Sequence, residues 1–335
     1  MSRKAVVLLN LGGPDTLEAV QPFLFNLFND RAILSLPLPF RTLLAFILAK
    51  RRTKEAQEIY AQLGGGSPIL ANTHLQAKAL ENILGQDWRV FIAMRYWHPL
   101  INETIREIKA YSPTEIILVP LYPQFSTTTT ASSFREWQHV TQKEGFHVPT
   151  RRLCCYPHQK GFIEANCKLI QQTLGDEKRP YRVLFSAHGL PERIIKKGDP
   201  YQSHVELTAK AIATQLGLKD FSVCYQSKVG PLKWLTPSID EEIKRAGQEL
   251  KGVVIVPLSF VSEHSETLVE LDVQYQVFAY AQKVPFYLRV PTVGTHPLFI
   301  DGLAQMIKIV GSEVTSGVAS FKCASQFTQC LCRGK

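Results

Sequence analysis

The sequence predicts an α/β protein built from two similar lobes, each a doubly wound parallel sheet, and three observations lead there. Short apolar runs rich in β-branched residues alternate with helical stretches along the whole chain, which is the pattern of parallel strands covered by helices on both faces. A chain of 335 residues also exceeds what one ordinary core organises, so two domains of roughly 150 residues each are expected. Finally, the halves repeat one another in sequence.

In chain order, the strands of the first half read AVVLLNL from Ala5, RVFIAMR from Arg89, EIILVPLY from Glu115 and VPTRRLCCY from Val148. Those of the second half read YRVLFSAH from Tyr181, FSVCYQS from Phe221, GVVIVPLSF from Gly252 and PFYLRVP from Pro285. Four strands per half suit two lobes, placed at 1–150 and 151–315 with the join between 150 and 180, followed by a cysteine-containing tail at 316–335.

The repeat is visible at two offsets. IILVPLYPQFSTTTTA from Ile116 aligns with VVIVPLSFVSEHSETL from Val253 at an offset of 137, and the same offset pairs Phe162-Ile163-Glu164 with Phe299-Ile300-Asp301. Upstream, Gly12 pairs with Gly189 and Pro14 with Pro191 at an offset of 177, which sets Leu11 opposite His188. The first half therefore carries about forty additional residues, placed between 30 and 70. That insertion, rich in Leu, Phe and Pro before Lys50-Arg51-Arg52, reads either as a surface helical hairpin with a basic turn or as a greasy lip. Such a lip would cover an apolar ligand while its cations meet carboxylates or lipid phosphates.

Lys and Arg outnumber Asp and Glu by 38 to 29, a balance of +9 that favours anionic partners. Hydrophobic residues at 45% with charged residues at 20% exclude a disordered chain. No run of about 18 uncharged apolar residues is present to span a bilayer. The opening MSRKAVVLLNLGGPD reads as a first strand and not as an export signal. A cytoplasmic protein is expected, and its seven cysteines then suit metal binding or packing better than a disulfide framework.

Ligands of open α/β sheets bind at the carboxyl ends of the strands. Leu11, Tyr122 to Thr130, His188 and Glu263 to Glu266 all fall at such ends. On the helix expected after VVIVPLSF, Glu263, Glu266 and Glu270 recur at spacings of three and four, with His264 beside them. Ser262 would cap that helix, and the dipole alone would account for Glu263. It accounts poorly for Glu270, beyond the first turn. A carboxylate row beside an imidazole suits the handling of protons or of a divalent metal, because crowding raises carboxyl pKa values and a cation relieves the repulsion. His188 ends a strand where the first half places Leu11, so the architecture itself does not require an imidazole there.

Other chemistries find no support. Gly64-Gly65-Gly66-Ser67 lacks the Lys-Ser/Thr ending of a phosphate loop, and LGGPD lacks the spacing of a dinucleotide fingerprint. No nucleophile elbow or His-Glu-x-x-His motif occurs. Basic residues are scattered without an aromatic-rich nucleic-acid module.

Seven segments together resemble the ferrochelatase family: LNLGGPDT, AKRRTKEAQEIYAQLGGGSPI, MRYWHPL, YPQFSTTTTASS, FSAHGLPERIIKKGDPY, YQSKVGPLKWLTP and FVSEHSETLVELD, running from residue 8 to about 272. The resemblance implies two flavodoxin-like lobes with the active-site cleft between them. It also implies a lyase that inserts Fe²⁺ into protoporphyrin IX to form protohaem, the last step of haem biosynthesis. It implies that His188 faces the macrocycle and serves proton removal or metal delivery, with Glu266, His264 and Glu270 along a polar path; His188 and Glu266 would meet the Fe²⁺ substrate. Leu11 would lie on the opposite face of the ring, where the family often carries Met or Tyr. Phe28, Tyr60 and Trp234 would surround the rim, and Arg51, Arg52, Arg95, Tyr122 and Ser126 would make polar or propionate contacts.

Some members of that family hold a [2Fe-2S] cluster in a cysteine-bearing tail. Here the tail offers Cys323, Cys330 and Cys332. The animal pattern takes a fourth cysteine from the Tyr-Pro-Gln segment, where this chain has Thr127, so Cys155 or its neighbour Cys154 becomes the candidate. Thiolates suit iron in a reducing compartment; Cys167 and Cys224 are assigned to packing. Peripheral association with the inner membrane is expected and nucleic acid is not, while the oligomeric state stays open. Rival readings are a chelatase for coproporphyrin III or for cobalt, a non-catalytic tetrapyrrole carrier, and a peripheral membrane scaffold.

Overall fold

All eight strands expected from the sequence form in the computed structural model, which describes residues 3–227, 232–312, 318–319 and 323–332. The Lys228–Pro231 part of one family-like segment, and residues 316–317, 320–322 and 333–335 of the expected tail, lie outside the described residues. The chain divides into two compact units. Unit 1 comprises residues 1–121, 126–154 and 304–320; unit 2 comprises 122–125, 155–303 and 321–335.

Unit 1 begins with β1 (Lys4–Asn10), α1 (Val20–Phe28), α2 (Leu38–Ala61) and α3 (Ile69–Leu84). It continues through β2 (Trp88–Met94), α4 (Ile101–Tyr111), β3 (Glu115–Pro120), α5 (Thr130–Lys143) and β4 (Thr150–Leu153). Unit 2 holds α6 (Lys160–Leu174), β5 (Tyr181–His188), α7 (Glu192–Lys196), α8 (Tyr201–Leu216), β6 (Phe221–Gln226), α9 (Ile239–Gln248) and β7 (Gly252–Pro257). A π-helical segment, Glu266–Gln274, then runs into α10 (Tyr275–Ala281), and β8 (Tyr287–Arg289) follows. After it come α11 (Pro297–Ser312) and a short β9 (Val318–Ala319), a strand the sequence did not announce.

The sheets are parallel throughout and share one strand order, β2-β1-β3-β4 with β9 added at the edge in unit 1, and β6-β5-β7-β8 in unit 2. The central strands read as unbroken apolar runs because both faces are covered: Ala5 to Leu9 and Val253 to Val256 are almost wholly excluded from solvent. The repeat seen in sequence is a repeat of hydrogen bonding. The Leu121 amide donates to the Leu9 carbonyl, and the Leu258 amide donates to the Ser186 carbonyl. Leu121 and Leu258 stand 137 apart and Leu9 and Ser186 stand 177 apart, the two offsets of the alignment. Phe162 and Phe299, also an aligned pair, meet in one aromatic cluster with ring centroids 5.9 Å apart.

The extra residues of the first half form α2, a single helix of 24 residues. A hairpin with Lys50-Arg51-Arg52 at its turn does not form, and the basic cluster lies in mid-helix. The reason is local: after Pro37 and Pro39 start the helix there is no Pro or Gly until Gly64, and the intervening residues are mostly good helix formers. Its first turns leave Leu38, Phe40, Leu43, Phe46 and Ile47 exposed.

Candidate active site

His188 is the last residue of β5, and the ladder hands it directly to β6, where Gln226 is its register partner. Its Nδ1 lies 2.7 Å from the Gly189 carbonyl. A carbonyl can only accept, so Nδ1 carries the proton, and in the neutral ring Nε2 keeps its lone pair. The backbone is held as well: the Gly189 amide donates to the Gln226 carbonyl at 2.8 Å, and the Tyr201 hydroxyl donates to the His188 carbonyl at 3.1 Å. Burial pushes the Tyr201 hydroxyl far up, so it remains a donor. A Cβ on Gly189 would come within 2.8 Å of the Gln226 carbonyl and 3.1 Å of the Trp234 ring, so glycine lets both approach closely beside His188.

The acids are arranged differently from the single stripe expected. Glu263 precedes the helix and turns away to Arg289, at 2.6 Å, while its carboxylate also accepts the Thr292 amide at 2.8 Å. Burial alone would raise the Glu263 carboxyl, but Arg289 and the hydrogen bonds outweigh it and hold the group below its ordinary value. The helix starts at Glu266, so Ser265 and not Ser262 holds its N-cap position. Glu266 and Glu270 do share the π-helical segment, whose i→i+5 turns are wider than those of an α-helix and recur at functional sites. Gln226 donates its side-chain amide to Glu266 at 3.2 Å, and the Ser227 hydroxyl donates to Glu270 at 3.2 Å. Ser186 in turn donates to Gln226 Oε1 at 2.6 Å, which fixes the orientation of that amide. His264 is buried, with Nδ1 3.1 Å from the Ser262 carbonyl and its ring packed on Phe260 at 4.4 Å. One layer of unit 2 therefore brings together an imidazole with an available nitrogen and two carboxylates aimed by neutral donors.

In unit 1, Leu11, Phe28 and Tyr60 belong to one apolar cluster with Val20, Phe23, Leu24, Ala49 and Tyr96. Arg95 is already engaged: it donates to Asp30 at 3.0 Å and to Ser132 at 2.9 Å, with Glu136 at 3.6 Å. Burial would raise the Asp30 carboxyl, but Arg95, Ser132, the Ala32 amide and Tyr96 together lower it. Ser126 is buried against Thr128, their hydroxyls 2.9 Å apart. Arg51 is exposed on α2 and Arg52 is half-buried. Tyr122, half-buried, belongs to unit 2.

The tail cysteines converge with Cys155 inside unit 2. Cys155 Sγ lies 3.9 Å from Cys323 and 3.5 Å from Cys332, and Cys330 lies 3.3 Å from each of Cys323 and Cys332. All four are buried and none is disulfide-bonded. The Cys155 contact pulls the Cys323 thiol downward, yet its bonds to Cys330 and Cys332 and its burial outweigh that and push it up. Four buried sulfurs this close to one another suit a thiophilic metal or an iron–sulfur centre, so the donor set fits. Cys167 and Cys224 stand apart in their helix and strand, with burial pushing the Cys167 thiol up to about 11.

Sequence reasoning missed Gln226, Tyr201 and His204. The first two lie in segments already singled out, but polar groups that act only on other polar groups carry no motif. His204 had no signal, being one histidine inside an amphipathic helix.

A ferrochelatase family model matches residues 3–309. A ferrochelatase of Caulobacter vibrioides is 49% identical over 340 residues, covering 98% of this chain and 97% of that one. A ferrochelatase of Rickettsia felis is 46% identical over 342 residues, covering 99% and 98%. Among solved structures, SirB from Bacillus subtilis with Fe³⁺ aligns over 92% of this chain and 96% of that chain, with a TM-score of 0.52 and 14% identity. The sirohydrochlorin chelatase SirB from Bacillus subtilis subspecies spizizenii in complex with cobalt aligns over 92% and 95%, with a TM-score of 0.52 and 12% identity. At those identities the structures speak to the fold, which is that of a chelatase. The matching model and near-full-length relatives, on top of the two parallel sheets and the polar layer around His188, place this chain in the ferrochelatase family.

Proposed function

We propose that the protein inserts Fe²⁺ into protoporphyrin IX, giving protohaem and two protons. The observation that carries this reading is the His188 ring, whose Nδ1 is spent on the Gly189 carbonyl and whose Nε2 is left as a base, in the same layer as the Gln226-held Glu266. Metallation needs a pyrrole nitrogen bent out of the ring plane, two N–H protons removed and water stripped from iron. His188 Nε2 takes the first pyrrole proton or meets the iron, and Glu266 and Glu270 carry protons or the metal onward. Leu11, Phe28, Tyr60 and Trp234 supply apolar contact that spends binding energy on distortion of the macrocycle. Arg51, Arg52, Arg95, Tyr122 and Ser126 serve the propionates; Arg95, already shared with Asp30, acts there by orienting its neighbours as much as by charge. Mixing the protein with protoporphyrin and anaerobic Fe²⁺ tests the proposal: the free-porphyrin absorption bands give way to those of haem. A spectrum that stays that of free porphyrin refutes it, and coproporphyrin III offered in parallel decides the side chains of the ring.

We further propose that Cys155, Cys323, Cys330 and Cys332 hold a [2Fe-2S] cluster, which when bound cross-links the tail to the body and accepts one electron. The sulfur separations of 3.3 to 3.9 Å also suit a single tetrahedral ion, since a Zn–S bond of about 2.3 Å sets sulfurs roughly 3.8 Å apart. The colour and the iron and sulfide content of purified protein separate the two.

Among the described residues, no helix is long and apolar enough to cross a membrane. The exposed apolar turns of α2, followed by Lys50, Arg51 and Arg52, support a cytoplasmic enzyme that rests on the inner membrane through this helix.

A further inference from the structure

His204 sits where a fifth ligand of the cysteine centre would sit. Its Nε2 is 3.1 Å from Cys323 Sγ, and with Cys155 and Cys323 it forms a second group of converging metal-binding side chains. Its other nitrogen decides what it does. Nδ1 accepts the backbone amide of Phe125 at 3.3 Å, so Nδ1 bears no proton, and in a neutral imidazole the proton is then on Nε2. A nitrogen that carries a proton donates to sulfur and does not bind a metal. The ring is 2% exposed and covered by the Phe327 ring with centroids 6.2 Å apart.

We propose that His204 is a positioning residue for the iron–sulfur centre: its Nε2–H donates to the Cys323 sulfur and stabilises the reduced cluster without ligating iron. The inference rests on the cluster reading above. The physical ground is that a donor aimed at a thiolate stabilises the charge added on reduction, so hydrogen bonds to the sulfurs raise the reduction potential. The same helix face extends the connection. One turn before His204, Tyr201 donates to the His188 carbonyl; one turn after, Gln124 donates to Thr208 at 3.2 Å, next to Phe125. Residues at i, i+3 and i+7 of α8 thus tie the candidate base, the cysteine centre and the 122–125 segment to one rigid element.

The test is a redox titration of reconstituted full-length protein and its His204→Phe variant, with dithionite as the one-electron donor. The expected result is unchanged iron content with a lower midpoint in the variant, such that the reduced-to-oxidised ratio at fixed poise falls tenfold, which is about 59 mV for one electron. A loaded variant with an unaltered midpoint overturns the proposal. Should the variant hold no chromophore, pulsed EPR of the reduced unaltered protein carrying ¹⁵N-histidine decides. Weak nitrogen coupling supports the hydrogen bond; no coupling, or the strong coupling of a directly bound nitrogen, overturns it. Unaltered protein that takes up a single colourless ion, or nothing, overturns the cluster reading and this inference with it, and leaves porphyrin metallation to be judged on its own assay.

Discussion

Gln226 lies directly across the β5–β6 ladder from His188, and its side-chain amide donates to Glu266 at 3.2 Å. One buried neutral residue thereby connects the strand that ends in the candidate base to the helix that carries the acids, and Ser186 sets which way its amide points. Gln226→Leu keeps the volume and removes the donor. Porphyrin affinity is expected to stay within a few-fold while the metallation rate falls about 10- to 100-fold, the usual cost of losing an outer partner of a metal-handling group. Fluorescence quenching and absorbance assays on one preparation measure the two quantities separately.

His188→Ala removes the nitrogen that the Gly189 carbonyl leaves available. The rate of Fe²⁺ insertion should drop by roughly 10²- to 10⁴-fold, the range for a positioned acid–base group, with porphyrin still bound. Insertion at the unaltered rate would remove His188 from the proton and metal chemistry.

The cysteine centre makes a sharper distinction. Cys155→Ser should lose the bound metal or chromophore, because Cys155 contacts both Cys323 and Cys332. Cys167→Ser, a change to a buried cysteine of α6 that stands apart from this group, should retain it. Metal analysis of the two variants purified side by side reads the outcome.

Arg289 holds Glu263 and Asp272 at 2.6 Å each, with its side chain 11% exposed. Arg289→Met should cost about 3 kcal/mol at pH 7, because a largely buried carboxylate is left without its partner. In the unaltered protein Glu263 has a folded pKa below its reference of 4.5. Its contribution is therefore complete above that reference and is lost as pH falls through the lowered folded value. In the variant the hydrogen bonds from Thr267 and Thr292 act against burial without the guanidinium, so the Glu263 pKa rises and acid removes less stabilisation there. Urea midpoints at pH 7 and pH 4 should show the gap between the two proteins narrowing at the lower pH.

Replacing Phe40, Leu43 and Phe46 together with Ser should abolish flotation with anionic vesicles and leave the melting temperature nearly unchanged, since all three are exposed. Retained flotation would move the membrane contact away from α2.

Much of the fold was legible because a strand buried on both faces must be apolar at every position, which no helix of comparable length need be. AVVLLNL and GVVIVP announce themselves for that reason, and the two offsets of the repeat reappear as equivalent hydrogen bonds from Leu121 and Leu258. The length of α2 was legible in principle from its lack of breakers, although its basic cluster suggested a turn.

The sequence by itself determined two parallel sheets, the strand ends at which His188 and the acids emerge, and the three tail cysteines. Only the tertiary structure decided that Glu263 serves Arg289 and not the acid row, that Gln226 aims Glu266, and that Cys155 and His204 meet the tail at Cys323. Spacing along a chain specifies which side chains share a local face, whereas partners such as Cys155 and Cys332 or Glu263 and Arg289 meet across distant segments. There the outcome follows from which buried polar group would otherwise go unpaired, and that is settled only once the whole unit has packed.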